Sequence, residues 1–252
     1  MYRYLELIHY RALAELKMEA SRLYLGLLWW VVEPVLYMAA FYLVFGILFQ
    51  RGGEGFVGFL LCGLVPWKWF SSSVMNASNS LAANAALIQQ VYVPKWIFPT
   101  IVVVTGLYKF LVILALLMCF LLIYGYSPGV SWLVMPLVVL VSFFLVLGCA
   151  SLVAFIVPFL PDLKMILANA LVLLMFLSGI FYNIGQLDAA YQSWFDLNPL
   201  AHLFQLYRTV LLDAQWPVWN DLFGLGVIGL ALMGLSFSLF QRYDRVLPSV
   251  VG

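Results

Sequence analysis

Six apolar runs, at residues 25–49, 56–75, 97–124, 131–160, 166–183 and 221–241, leave this chain few ways to fold. A helix needs roughly 20 residues to cross the hydrocarbon core of a bilayer, so each run is long enough to cross once. In water the runs would have to hide one another completely. With 65% hydrophobic and 9% charged residues and a mean hydropathy of +1.05, the chain has too little polar surface to cover such a core. The expected fold is an all-α integral membrane protein of six transmembrane helices. No proline- or serine-rich linker divides it, so residues 1–252 read as one unit.

Residues 1–24 are too polar for the bilayer core. Leu5, Ile8, Ala12, Leu16, Ala20 and Leu23 recur at helical spacing, Arg3, Arg11, Glu15 and Arg22 fall largely off that face, and Glu19 lies at its edge. The pattern predicts an amphipathic helix in the membrane interface. The fourth run is long enough to tilt, or to bend at Pro136 or Pro158. Gly52-Gly53 and Ser127-Pro128-Gly129 read as tight outer turns. Cys62, Cys119 and Cys149 lie in apolar runs without CxxC spacing, as small buried residues and not metal ligands.

The Lys/Arg distribution sets the expected orientation. With the N-terminus in the cytoplasm, Arg3, Arg11, Lys17, Arg22, Lys95, Lys164, Arg242 and Arg245 lie inside, and only Arg51 and Arg208 outside. This follows the positive-inside rule and puts both termini in the cytoplasm.

Two stretches interrupt the apolar pattern. Residues 76–96 open with small polar residues, continue as a short helix-compatible piece from Leu81 to Gln90 and stop at Val93-Pro94, where proline disfavours helix at the residue before it. Here Gln89, Gln90 and Lys95 are expected to be exposed beside Leu87, Ile88, Val91, Tyr92 and Trp96, which need cover. Such a segment at the foot of two membrane helices offers a handle to another protein, or lies in the lipid headgroups. The second stretch, 185–219, is external and crowded with Tyr191, Trp194, Phe195, Phe204, Tyr207, Trp216 and Trp219. Within it, residues 200–212 are helical in pattern but too short to span, so a re-entrant or interfacial helix is expected before the last span.

No catalytic pattern survives inspection. None of the five lysines follows a glycine, which excludes a Walker A loop, and His9 and His202 stand apart from any HExxH. Gly125-Tyr126-Ser127-Pro128-Gly129 matches G-x-S-x-G only formally, since it joins two membrane helices and not a strand to a helix. Catalytic residues and a metal site are therefore not expected. Lys68 and Lys109 are the notable charges. Each lies twelve residues into its run, roughly 18 Å deep at about 1.5 Å per residue. Glu33 is positioned to neutralise one of them. The other reading is that a lysine faces a wet channel and meets substrate phosphate.

Several ordered motifs carry a resemblance. Leu25-Gly26-Leu27-Leu28-Trp29 with Glu33-Pro34, Gly63-Leu64-Val65-Pro66-Trp67 with Phe70, Asn84 with Leu87-Ile88 and Val93-Pro94, and Asn198-Pro199 with Tyr207-Arg208 together resemble ABC-2 type permeases that export polysaccharides (O-antigen, capsule or teichoic acid). The similarity runs along essentially the whole chain. It departs at Phe159-Leu160-Pro161-Asp162-Leu163, where many O-antigen relatives have an Arg-Asp pair, and Glu33-Pro34 is more like the capsule branch.

The resemblance implies a channel formed by two copies in the bacterial inner membrane. Each copy would dock a separate ATP-binding subunit, holding the ATP and magnesium, through Asn84, Leu87, Ile88, Gln89, Gln90, Val91, Tyr92, Val93, Pro94 and Lys95. A lipid-linked polysaccharide would pass along Glu33, Trp67, Lys68, Trp69, Phe70 and Lys109, with Asn198, Pro199, Tyr207 and Arg208 in an external gate. Periplasmic export proteins are further partners; nucleic acid is not. A drug or small-molecule exporter of the same superfamily is the alternative, and a transporter or scaffold outside it is the second.

Overall fold

The computed structural model describes residues 2–22, 28–41, 43–44, 55–188, 192 and 194–251. The described residues form helices and turns without a strand. In chain order the helices are α1 (Tyr2–Arg22), α2 (Trp29–Phe41), α3 (Phe56–Ala77), α4 (Ala85–Gln90), α5 (Ile97–Ile123), α6 (Met135–Ile156), α7 (Leu163–Leu177), α8 (Pro199–Leu211), α9 (Trp219–Tyr243) and α10 (Leu247–Val251). Single 3-10 turns at Ala82–Asn84, Val130–Val134 and Ile184–Gln186 connect some of them.

Four described helical segments are long and apolar enough to cross a membrane: Phe56–Ala77, Ile97–Ile123, Val130–Ile156 and Trp219–Tyr243. The expected fifth crossing is shorter, because α7 starts at Leu163 and ends at Leu177. Of the first, α2 covers 29–41, and parts of the remainder lie outside the described residues, as do Arg51, Gly52-Gly53 and Tyr191. Neither proline considered as a bend point in the fourth run lies in the interior of α6. Pro136 sits in the first turn of α6, where its missing N–H costs nothing, and Pro158 follows the helix end. The connection after α5 turns at Gly125 (φ +100°), and Ser127-Pro128-Gly129 after it forms no turn, with Gly129 extended.

α3 is the central helix, buried on most of its surface and packed by α5, α6, α7 and α8. α5 and α9 leave most of theirs exposed, through Leu111, Val112, Leu122, Phe223, Val227 and Leu230 among others. Lipid makes that exposure cheap.

Between apolar helices in lipid, association depends on close packing. α6 and α9 achieve it at two glycines. A Cβ on Gly229 would lie 2.7 Å from the Leu145 backbone nitrogen, and one on Gly148 would lie 2.7 Å from the Leu232 Cβ.

α1 runs alongside α5 in the same direction. Tyr4 meets Trp96, Ile8 packs with Ile97 and Ile101, the Thr105 hydroxyl donates to Glu15 at 3.2 Å, and Glu19 pairs with Lys109. The stripe expected to face the headgroups thus finds protein along Ile8, Ala12 and Leu16, which are all buried, while Leu5 stays exposed.

Candidate functional site

The two lysines within spans are each paired, by different acids. Lys68 Nζ lies 3.1 Å from Glu33 Oε1 and sits 4.9 Å from the centre of the Tyr37 ring. Lys109 pairs with Glu19 and not with Glu33, which corrects the pairing considered for it. The reason is the lengthwise contact of α1 with α5, which the amphipathic pattern of residues 1–24 could not reveal. Glu19 at the edge of that pattern was the signal. α5 is 27 residues long, roughly 40 Å by its rise per residue, against a core of about 30 Å. A helix longer than the core tilts or extends beyond it, so the count from Ile97 does not by itself set the depth of Lys109.

The Lys68–Glu33 pair is the more unusual. It lies on the α2–α3 face with 52% and 42% of the two side chains exposed, about 18 Å along α3 from its start at Phe56. The aromatic residues beside Lys68 do not share that exposure. Trp67, Trp69 and Phe70 are all buried within the chain: Trp67 packs edge-on against Phe204, and Trp69 stacks on Phe110 at 4.4 Å. In this chain they pack the centre of the bundle.

The segment after α3 ends where its sequence says it should. α4 stops at Gln90, Val91 is extended, and Pro94 precedes the next helix. Its faces divide differently from the expectation. Gln89, Gln90, Val91 and Tyr92 are exposed, with Tyr92 at 76%, whereas Ile88 is 6% exposed and belongs to the main core. Leu87, Asn84, Val93 and Pro94 are half-buried. Asn84 accepts a hydrogen bond from Arg11 of α1 at 3.1 Å and donates to the Ser80 carbonyl. Lys95, expected to be exposed, is buried at 3% and paired with Asp244 at 3.2 Å. Its partner is distant in sequence, and no local pattern announces it.

At the other end of the bundle, Asn198-Pro199 begins α8 by local chemistry. Asn198 Oδ1 accepts from Leu200 N at 3.0 Å, and Pro199 takes the first helical position. The Asn198 amide also donates to the Leu177 carbonyl and the Ser178 hydroxyl, fixing α8 to the end of α7. Tyr207 and Arg208, expected at an external gate, are instead buried at 0% and 3%. The Tyr207 hydroxyl is 3.0 Å from Ser142 Oγ of α6. The Arg208 guanidinium donates to the carbonyls of Phe59, Gly179 and Ile180 at 3.1, 2.9 and 2.9 Å and lies over the Phe59 ring. Gly179 adopts φ +66° just beyond α7, the left-handed conformation that ends many helices and that glycine takes without strain. Gly63 leaves room for the arginine, since a Cβ there would lie 2.8 Å from Nη2. Two motifs far apart in sequence therefore meet at one buried clamp. Gly63 and Gly179 were missed as its parts.

Among the described residues, no group of three or more His, Cys, Asp or Glu side chains could hold a metal ion. What the molecule offers is a polar pair on a mid-height face and an exposed turn at one end. The profile of the ABC-2 type transporter family matches residues 15–212. The chain belongs to that family. This ABC-2 transporter protein is 29% identical to the O-antigen export system permease protein RfbA of Myxococcus xanthus, over 94% of each chain. It is 27% identical to the protein of that name from Klebsiella pneumoniae, over 92% of each. To the polysialic acid transport protein KpsM of Escherichia coli it is 24% identical, over 93% of this chain and 92% of that one. These relatives are transport permeases, and family membership removes the reading of a transporter or scaffold outside the superfamily.

Proposed function

We propose that this chain is the channel-forming subunit of an ATP-driven exporter of lipid-linked polysaccharide. It works in the bacterial inner membrane as two copies, each with a separate ATP-binding subunit docked on its α4 end. Full-length similarity to O-antigen and polysialic acid permeases supports the substrate class. The positive-inside distribution supports a cytoplasmic α4 end, with both termini on that side.

The observation that carries the reading is the half-exposed Lys68–Glu33 pair at mid-height. A charged side chain at the bilayer centre costs on the order of 2.5–3.5 kcal/mol on insertion scales, so a lipid-facing pair would be a poor use of two charges. A wet path between two copies removes that cost. Substrate phosphate would meet the Lys68 ammonium there, with Glu33 holding the ammonium in place when the path is empty.

The test is proteoliposomes containing the permease, its ATP-binding subunit and a lipid-phosphate-linked glycan. Glycan-stimulated ATP hydrolysis with delivery of glycan across the bilayer is expected. Stimulation by small apolar drugs but not by glycan would favour the drug-exporter alternative and sink this reading. Lys68→Met should assemble normally and export at least about 10-fold more slowly, the scale of one lost charge-assisted hydrogen bond. Wild-type export by Lys68→Met would remove the lysine from the path.

At the α4 end the docking surface is the exposed turn, with Tyr92 and Val91 as its apolar knobs. Val91→Asp should leave permease yield unchanged while co-purification of the ATP-binding subunit falls about 10-fold or more, because Val91 is exposed and stands clear of the Lys95–Asp244 pair that Tyr92 touches. Ile88→Asp should instead lower the yield of folded permease, because Ile88 lies in the core. Wild-type co-purification by Val91→Asp would place the docking surface elsewhere.

A further inference from the structure

Lys95 is a cationic side chain in a segment with water at hand, yet it is buried. Its Nζ is 3.2 Å from Asp244 Oδ2 and 4.8 Å from the centre of the Tyr92 ring, and the two side chains of the pair are 4% and 17% exposed. Asp244 is the residue that closes α9, the last long helix. A carboxylate is disfavoured at a helix C-terminus, where the helix dipole presents its negative end. Local helix chemistry therefore does not account for it; Lys95, with the Tyr92 hydroxyl bonded to the same carboxylate, does. The pair is not the sole link between the two elements. Trp96 packs on Phe237 of α9 at 5.7 Å between ring centres, and beyond Asp244 the short α10 returns to pack against α4, with Leu247 fully buried. α9 is in turn locked to α6 through Gly148 and Gly229.

We propose that the C-terminal turn belongs to the coupling unit. The buried Lys95–Asp244 ion pair is the tie through which movement of α4, gripped by the ATP-binding subunit, reaches α9 and α6. The proposal rests on the transport function given above and names the connection inside the permease that the function needs. A largely buried ion pair suits the task better than an apolar contact. It holds one register, and it gives way only by leaving a charge uncompensated. Lys95 and Asp244 act as positioning residues, one step removed from both ATP and glycan.

The experiment uses the complete complex in proteoliposomes and measures three quantities: co-purification of the ATP-binding subunit, ATP hydrolysis, and glycan exported per ATP hydrolysed. Lys95→Met and Asp244→Asn should retain the partner and hydrolyse ATP, while glycan per ATP falls about 10-fold, within the usual range of coupling between two sites. The reversal Lys95→Asp with Asp244→Lys should recover most of the ratio, since it restores the pair and places the cation at the helix C-terminus. A merely structural pair would lower the yield of folded complex and leave the ratio unchanged in the molecules that fold; that result overturns the proposal. So does an unchanged ratio in both single variants at normal yield. A wild-type complex that hydrolyses ATP but exports no glycan overturns the functional reading and this inference with it, and so is distinguished from failure of the tie alone.

Discussion

Arg208→Met is expected to remove most of the folded permease from the membrane. The guanidinium satisfies carbonyls of α3 and of the turn beyond α7, and it is itself carried by α8, so three elements lose their common point together. Gly179 and Ile180 lie beyond the end of α7, where the helix offers their carbonyls no ladder partner. A buried acceptor left without a donor costs roughly 1–3 kcal/mol, and a domain is stable by only about 5–15 kcal/mol in total. Methionine keeps the approximate length of the side chain and removes every donor. Arg208→Lys keeps the charge but replaces a planar fork with a point donor, so it should satisfy part of the set and give an intermediate yield. The measurement is the monodisperse fraction after detergent extraction, with its thermal midpoint. A wild-type midpoint for Arg208→Met would show that the clamp contributes nothing.

Gly229→Leu should be comparably damaging, and Gly229→Ala measurably so. At this position even a Cβ has no space, because it would lie 2.7 Å from Leu145 N and 2.9 Å from the Phe144 carbonyl carbon. These are backbone atoms of α6, so relief requires the two helices to separate. Overpacking a filled site costs about 1–3 kcal/mol when side chains can adjust, and more is expected where they cannot. The same helix supplies its own controls. A Cβ on Gly224 or Gly234 meets nothing within 4 Å. Gly224→Ala and Gly234→Ala should therefore fold at wild-type yield or better, because alanine favours a helix interior over glycine by about 1 kcal/mol. Equal loss from all three alanine variants would mean that the α6–α9 seam is not the site of the effect.

These two expectations mark where sequence reading stops. Gly224, Gly226, Gly229 and Gly234 look alike along an apolar run, and only the approach of α6 separates the one that must be glycine from those that need not be. Arg208 was counted as an external charge because the residues around it are short of a full span. Its burial depends on the Phe59 carbonyl, 149 positions away, and on the turn after α7.

Much else was legible. Apolar length announced a membrane protein of helices, and the motifs in their order led to the ABC-2 family that the profile match shows. The stop at Val93-Pro94, the start at Asn198-Pro199 and the amphipathic stripe of α1 all follow from nearest-neighbour chemistry. Proline restricts the residue before it, asparagine caps the turn that follows, and a helix repeats every 3.6 residues whatever lies beside it. The partners of charged groups were another matter. Lys109 joins Glu19, Lys68 joins Glu33, and Lys95 joins Asp244 across 149 residues of chain. α6 is apolar on every side and α5 is so apart from Lys109, so periodicity gives them little preferred face, and only packing can decide which helix lies against which. By itself the sequence determined which stretches are apolar helices and set single ends such as the start at Asn198-Pro199, because those choices are made within one or two turns of chain, whereas α7 at Leu163–Leu177 is offset from its apolar run at 166–183. The tertiary structure alone decided which charge is buried and which glycine is indispensable, because both depend on atoms that arrive from elsewhere in the chain.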